Sequence, residues 1–208
     1  MYPKAQWWME RSLFPEYQLA YDEILKYIPK CNYLLDIGCG TGELLKRVSK
    51  SQKARYITGL DISKELLAKA AENLRCCKVN LVYDNILDTK LPKEAFDCVT
   101  FTFPAIVAPK SLLTNASPEQ VTRALLYKTL ANIASLIKKG GTFVQVEFDA
   151  YDENPEANAR VIYGQLCRQH GLTLQSLKFY QNEKITDVVD IKKEAKYKGY
   201  VVIVSKKP

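Results

Sequence analysis

The sequence predicts an α/β fold: a mostly parallel seven-stranded sheet with helices on both faces and one antiparallel strand near the end. Two observations carry this. Short apolar runs alternate with helical patterns over most of the chain, the signature of successive βαβ units. Two further apolar runs then follow without a clear helix between them. Parallel neighbours need a crossover, so a pair joined without one is free to run antiparallel.

The elements follow in order. Residues 14–27 carry apolar side chains at helical spacing, and Pro29 closes the segment. Tyr33-Leu34-Leu35-Asp36-Ile37 is a short apolar run ending in glycines, the first buried strand. Residues 42–50 read as helix, with Leu44, Leu45 and Val48 on one face. Residues 56–61 form the second strand. Ser63 is a good N-cap for a helix over 64–74, where Leu66, Leu67 and Ala70 recur at helical spacing. Residues 79–83 and 96–103 give the third and fourth strands. Ser117-Pro118-Glu119 combines an N-cap, a proline at the first helical position and a carboxylate facing the dipole. That helix is expected to run to about Lys139, where Gly140-Gly141 stops it. Residues 142–148 form a fifth strand, and a helix over about 156–170 ends at Gly171. Residues 172–180 and 200–204 are the final pair, joined by a charge-rich loop.

With 208 residues, one domain over 1–208 is expected. Residues 1–30 would form a helical lid or anchor, and residues 31–208 the core. The 47% hydrophobic and 25% charged residues are ordinary for a globular chain and argue against disorder. The six cysteines form no Cys-x-x-Cys pair and there is one histidine, so no metal is expected. Reduced thiols in the cytoplasm are the plain reading. Lys4, Glu10 and Arg11 interrupt the N-terminus, unlike a signal peptide, and no apolar run is long enough for membrane insertion. The net charge of +7 is compatible with an anionic substrate or nucleic acid, and a surplus of solvated lysines explains it as simply.

The segment Asp36-Ile37-Gly38-Cys39-Gly40-Thr41-Gly42 lies between a strand and a helix, the context of a nucleotide-type ligand. Glycines let the backbone turn sharply and approach a ligand, and the next helix presents free N–H groups there. Asp61, about 20 residues on, ends the second strand, where an acidic side chain accepts from ribose hydroxyls. A dinucleotide loop typically reads Gly-x-Gly-x-x-Gly, whereas these glycines follow every second residue. Asp36 would repel a pyrophosphate but favour a sulfonium and an ammonium.

These segments resemble a family. Residues 36–42 look like the first motif of class I S-adenosylmethionine-dependent methyltransferases, and residues 57–63 resemble their second. Residues 80–88 with Leu91-Pro92 resemble the third, residues 96–103 the fourth, and residues 136–142 the glycine turn before strand five. The fold implied is Rossmann-like. The cofactor implied is S-adenosyl-L-methionine. By this resemblance Asp36, Gly38, Cys39, Gly40 and Gly42 surround the methionine part, Asp61 binds ribose, and Ile62 packs on adenine. Asp84 or Asn85 holds the adenine amino group; an ionised acceptor favours Asp84, and either could instead start a turn. Thr102 and Phe103 would touch the methionine moiety and the acceptor, Phe103 equally being a core aromatic.

The acceptor pocket of the family is built from the N-terminal segment and the loops after strands four and five. That implicates Trp7, Trp8, Tyr17 and Tyr21, as lid or as packing anchors, together with Glu147 and Tyr151. His170, at a helix end, is expected to face the dipole rather than act in catalysis. Thr102-Phe103-Pro104-Ala105 differs from the Asn-Pro-Pro-Tyr type of enzymes that methylate base amines, so a small-molecule acceptor is the leading expectation. The strand-four segment is similar to that of quinone-biosynthesis C-methyltransferases. An RNA or protein methyltransferase, and a catalytically inactive cofactor-binding partner subunit, are the alternatives.

Overall fold

A computed structural model describes residues 5–103, 118–149, 167–181 and 199–208. Seven strands form one sheet: β1 (Cys31–Ile37), β2 (Ala54–Asp61), β3 (Val79–Tyr83), β4 (Phe96–Thr102), β5 (Ile137–Asp149), β6 (Thr173–Gln181) and β7 (Gly199–Lys206). Their order is β3-β2-β1-β4-β5-β7-β6. β1 to β5 are mutually parallel, and β7 runs antiparallel to both β5 and β6. The expected single reversed strand is therefore β7.

Five helices are described: α1 (Ala5–Arg11), α2 (Pro15–Tyr27), α3 (Glu43–Lys50), α4 (Lys64–Asn73) and α5 (Pro118–Leu136). The central strands are apolar on both faces because both are covered. Leu34, Ile57 and Val144 pack with Ile24 of α2, Leu44 and Leu45 of α3 and Ala70 of α4. Leu35, Val99 and Phe143 pack on the other side with Leu130 and Ile133 of α5. Alternation along each strand thus feeds two cores, and the helices leave the strand ends open for chemistry.

The sequence periodicity put α3, α4 and β3 within a residue or so of their observed bounds. Ser63 caps α4 as expected, its Oγ accepting from the Leu66 N–H at 3.2 Å. The end of α5 differs. It stops at Leu136 and passes directly into β5, so Gly140-Gly141 lies within a strand rather than terminating a helix. The reason is competition for backbone groups: the N–H groups of Glu94 and Ala95 take the Ser135 and Leu136 carbonyls at 2.9 and 3.0 Å. Ile137 then pairs with Phe96, and the glycines absorb the register shift before Thr142 meets Cys98. Of the expected helix over 156–170 only residues 167–170 are described, 167–169 helical and His170 in a turn; the rest lies outside the described residues.

This gives a prediction. A Cβ on Gly141 would stand 2.6 Å from Ile137 Cγ2 and 2.8 Å from the Lys138 carbonyl oxygen, whereas Gly140 opens to free space at φ 75°. Gly141→Ala should cost about 1–3 kcal/mol in urea unfolding through overpacking. Gly140→Ala should cost only the left-handed penalty of about 1–2 kcal/mol. Glycines that merely ended a helix would give the reverse order.

Candidate active site

The C-terminal ends of β1, β2 and β4 converge on the loop after β1. The N–H groups of Gly38 and Cys39 both reach back to the Leu60 carbonyl, at 2.7 and 3.0 Å, which folds the loop over the tip of β2. The alternate glycines then serve different ends. At Gly40, φ is 53° and the nearest atom to an added Cβ is 4.0 Å away, so the backbone there faces open space. At Gly42 a Cβ would stand 2.8 Å from Leu74 Cδ1, so this glycine lets α3 and the end of α4 approach. The Cys39 side chain is buried beneath Gly59, leaving only its backbone to face a ligand. Burial first, then the nearby Asp36 and Asp61, pushes its thiol far above the ordinary range.

Asp61 is 6% exposed. Its Oδ2 accepts from the Gly40 N–H at 2.8 Å and its Oδ1 from the Ser63 N–H at 2.8 Å. Two of about four acceptor positions on the carboxylate are thereby used, and two are left for hydroxyl donors. Burial raises its pKa, opposed by these backbone hydrogen bonds. Ile62 beside it is 45% exposed, an apolar surface at the strand tip. Asp84 and Asn85 follow β3. Asp84 accepts from Thr89 Oγ1 at 2.7 Å and from the Lys90 and Asn85 N–H groups, while Asn85 Oδ1 accepts from the Leu87 N–H and caps a 3₁₀ turn. Both side chains thus fasten the turn beside the β2 tip.

Asp36 is 1% exposed and accepts a 2.7 Å hydrogen bond from Thr100 Oγ1, its in-register partner on β4. Burial pushes its carboxyl up to about 7, with Thr100 opposing and Asp61 adding to the rise. Among the described residues neither Asp36 nor Asp61 has a cationic partner. Thr102 is buried, and Phe103 takes a φ of 50° as the chain leaves β4, its N–H held by the Val146 carbonyl at 2.8 Å.

The N-terminal helices lie over this end. Tyr17, 3% exposed, meets the Phe103 ring at 4.7 Å, and Tyr21 meets it edge-on at 5.9 Å. Burial, with Asp36 nearby, pushes the Tyr21 phenol well above its ordinary value, so it stays a neutral hydroxyl. Trp7 and Trp8 are half-buried and edge-to-face at 4.5 Å, with the Arg11 guanidinium 4.0 Å above the Trp7 ring. Thr41 Oγ1 donates to Ser12 Oγ at 3.1 Å, linking the glycine loop to the α1–α2 joint. Arg47 of α3 holds α2 through Asp22 at 2.7 Å and Gln18 at 2.6 Å.

Glu147 lies on β5 opposite Val201, but its side chain, like Tyr151, lies outside the described residues. His170 packs against Tyr127 of α5 at 4.3 Å, away from the loop. Thr100, Ser12, Thr41 and Arg47 were not singled out from the sequence; each matters through a partner on another element, which only pairing of those elements reveals. Among the described residues no cluster of His, Cys, Asp or Glu could hold a metal ion, and no helix is long and apolar enough to cross a membrane.

A mostly parallel sheet with a glycine loop after β1 and an acidic residue ending β2 defines a Rossmann-like nucleoside-cofactor site. The chain belongs to the methyltransferase domain family, whose profile matches residues 34–141. The release factor glutamine methyltransferase of Caulobacter vibrioides is 30% identical over 154 residues, covering 65% of this chain and 53% of that protein. The chain spans about half the length, or less, of the curated relatives it matches. A chain of the complex between the Haloferax volcanii Trm112 methyltransferase activator and a methyltransferase superposes with a TM-score of 0.71 at 16% identity, covering 98% of this chain and 97% of that one. The N-methyltransferase NodS of Bradyrhizobium japonicum, in complex with S-adenosyl-L-homocysteine, gives 0.68 at 12% identity, covering 100% and 94%. These two likenesses concern the fold.

The residues fit S-adenosylmethionine. Two buried carboxylates without a cation of their own suit a ligand bearing a sulfonium and an ammonium, and the space at Gly40 suits close backbone approach. A raised carboxyl pKa means that the native state holds the proton more tightly than the unfolded chain. Its stabilising contribution is therefore full below about pH 4 and lost as pH rises through about 7. A cationic ligand favours the ionised form. S-adenosylmethionine affinity should rise from about pH 6 to about pH 8, with proton release on binding near pH 6, read by calorimetry in buffers of differing ionisation enthalpy. Asp36→Asn should remove both effects, and a flat profile in the native protein would refute this electrostatic account. Asp61→Ala should weaken S-adenosylhomocysteine binding about tenfold or more, at about 1.5–3 kcal/mol per charge-assisted bond. It should also lower the melting temperature, because the Gly40 N–H loses its acceptor.

Proposed function

We propose that the chain transfers a methyl group to a small-molecule acceptor taken in beneath α1 and α2. The observation that carries this is the aromatic cluster of Tyr17, Tyr21 and Phe103 at the end of β4, closed over by helices tied to the glycine loop. A site bordered by aromatic rings suits a compact apolar or amine-bearing acceptor. The six free thiols fit a cytoplasmic setting.

In this reading Gly38, Gly40 and the Cys39 backbone border the methionine part of the cofactor, with Asp36 supplying the counter-charge and Gly42 holding the loop against α4. Asp61 accepts from the ribose hydroxyls and Ile62 lies against adenine. Asp84 or Asn85 accepts from the adenine amino group while anchoring its turn. When bound, the cofactor supplies an electrophilic methyl group on a positively charged sulfur. The rings of Tyr17, Tyr21 and Phe103 offer faces that stabilise such a cation and exclude water. Holding the acceptor in line is worth about 7–11 kcal/mol in well-oriented systems, so an acceptor with a free lone pair needs no dedicated base. A protein acceptor is the second reading, favoured by the 30% identity to a release factor glutamine methyltransferase.

Labelled S-adenosylmethionine supplied with pooled metabolites, bulk RNA or bulk protein should label the metabolite pool. Label in protein alone would establish the second reading. Removing residues 1–11 should sharply reduce turnover while S-adenosylhomocysteine affinity changes little, as expected of a lid. Full activity in the truncated protein would show that α1 takes no part.

A further inference from the structure

At the opposite end of the sheet, the starts of β1, β4 and β5 border an open pocket of about 330 Å³. Four lysines and one aspartate line it, a net excess of three positive charges. The aspartate, Asp97, is fully engaged: Oδ1 accepts from Lys138 at 2.8 Å, and Oδ2 from the Asn32 and Tyr33 N–H groups at 3.1 and 2.8 Å. The other three lysines, Lys30, Lys139 and Lys206, are exposed and have no carboxylate partner among the described residues. By contrast Lys207, next in the chain, is bound to Glu94 and to the Ile137 carbonyl.

Beside this pocket two tyrosines stand in register on β1 and β2. Tyr33 and Tyr56 are 43% and 48% exposed and stack at 5.0 Å with an interplanar angle of 19°. A cation covers each ring: Lys138 lies 4.6 Å from that of Tyr33, and Arg55 5.2 Å from that of Tyr56. Exposed stacked aromatics flanked by cations, continuous with a pocket in which Lys30, Lys139 and Lys206 have no carboxylate partner among the described residues, combine base stacking with phosphate neutralisation. That is the chemistry of sequence-tolerant single-strand binding.

We propose that this edge of the sheet binds single-stranded nucleic acid, Lys30, Lys139 and Lys206 meeting phosphates and the Tyr33–Tyr56 pair meeting bases. The site lies a full strand length from the glycine loop, about 20 Å by the rise of β1. It therefore tethers rather than presents an acceptor, and does not rest on the acceptor reading above.

Fluorescence anisotropy with a labelled oligouridylate of about 12 nucleotides tests this on the full chain. Three or four phosphate contacts predict a fall of log affinity with log salt of slope about −2 to −3. Combining Lys30→Glu, Lys139→Glu and Lys206→Glu should weaken binding about tenfold or more and flatten that slope. Tyr33→Ala with Tyr56→Ala should weaken it by a similar factor, whereas Tyr33→Phe with Tyr56→Phe should keep wild-type affinity. Unchanged S-adenosylhomocysteine affinity in each variant certifies the fold, and the lysine and phenylalanine variants stand if the alanine pair fails to fold. Wild-type oligonucleotide affinity in the lysine variant would overturn the proposal. So would equal binding of inorganic polyphosphate or of a single nucleoside triphosphate, or capture by anionic phosphatidylserine vesicles in place of the oligonucleotide.

Discussion

The carboxylate of Asp61 organises the working end of this protein. One oxygen holds the Gly40 N–H and the other the Ser63 N–H, so a single buried group fixes the loop after β1 and the entry to α4. The loop in turn seats Thr41, to which both Ser12 and Asn73 are hydrogen-bonded. Helices from three separate stretches of chain therefore take their positions from one strand tip. Charge-assisted bonds to backbone N–H groups are among the stronger neutral-pH interactions available to a loop.

Asp36 makes the site's electrostatics unbalanced. It is placed under the loop by β1, satisfied on one side by Thr100, and left within reach of a second carboxylate with no cation among the described residues to offset either. A protein designed only to be stable would fill such a position with an apolar side chain, since burying an unpaired charge is costly. The imbalance suits a positively charged ligand.

Much of this was legible before any coordinates. Strand and helix identity followed from periodicity because both sheet faces are covered, which makes the strands continuous apolar runs and the helices amphipathic. Asp36, the alternate glycines and Asp61 stood out because their spacing is local to one strand–loop–helix unit. What was not legible depends on contacts between distant elements. The end of α5 was set by Glu94 and Ala95, some forty residues earlier, competing for its last carbonyls. Thr100 acquires its role only when β1 and β4 align, and Arg47 only when α2 lies on α3. The difference between Gly40 and Gly42, one facing space and the other Leu74, is likewise invisible in a string of glycines.

Phe103 carries a further consequence. Its left-handed backbone costs a bulky residue about 1–2 kcal/mol, a cost that glycine would avoid. Yet its ring is the surface on which Tyr17 and Tyr21 rest. Sequence drift or laboratory selection for thermal stability alone is therefore drawn toward glycine or asparagine here, and each such step removes the ring on which Tyr17 and Tyr21 rest. If the proposed acceptor site is right, stability and acceptor recognition pull this single position in opposite directions.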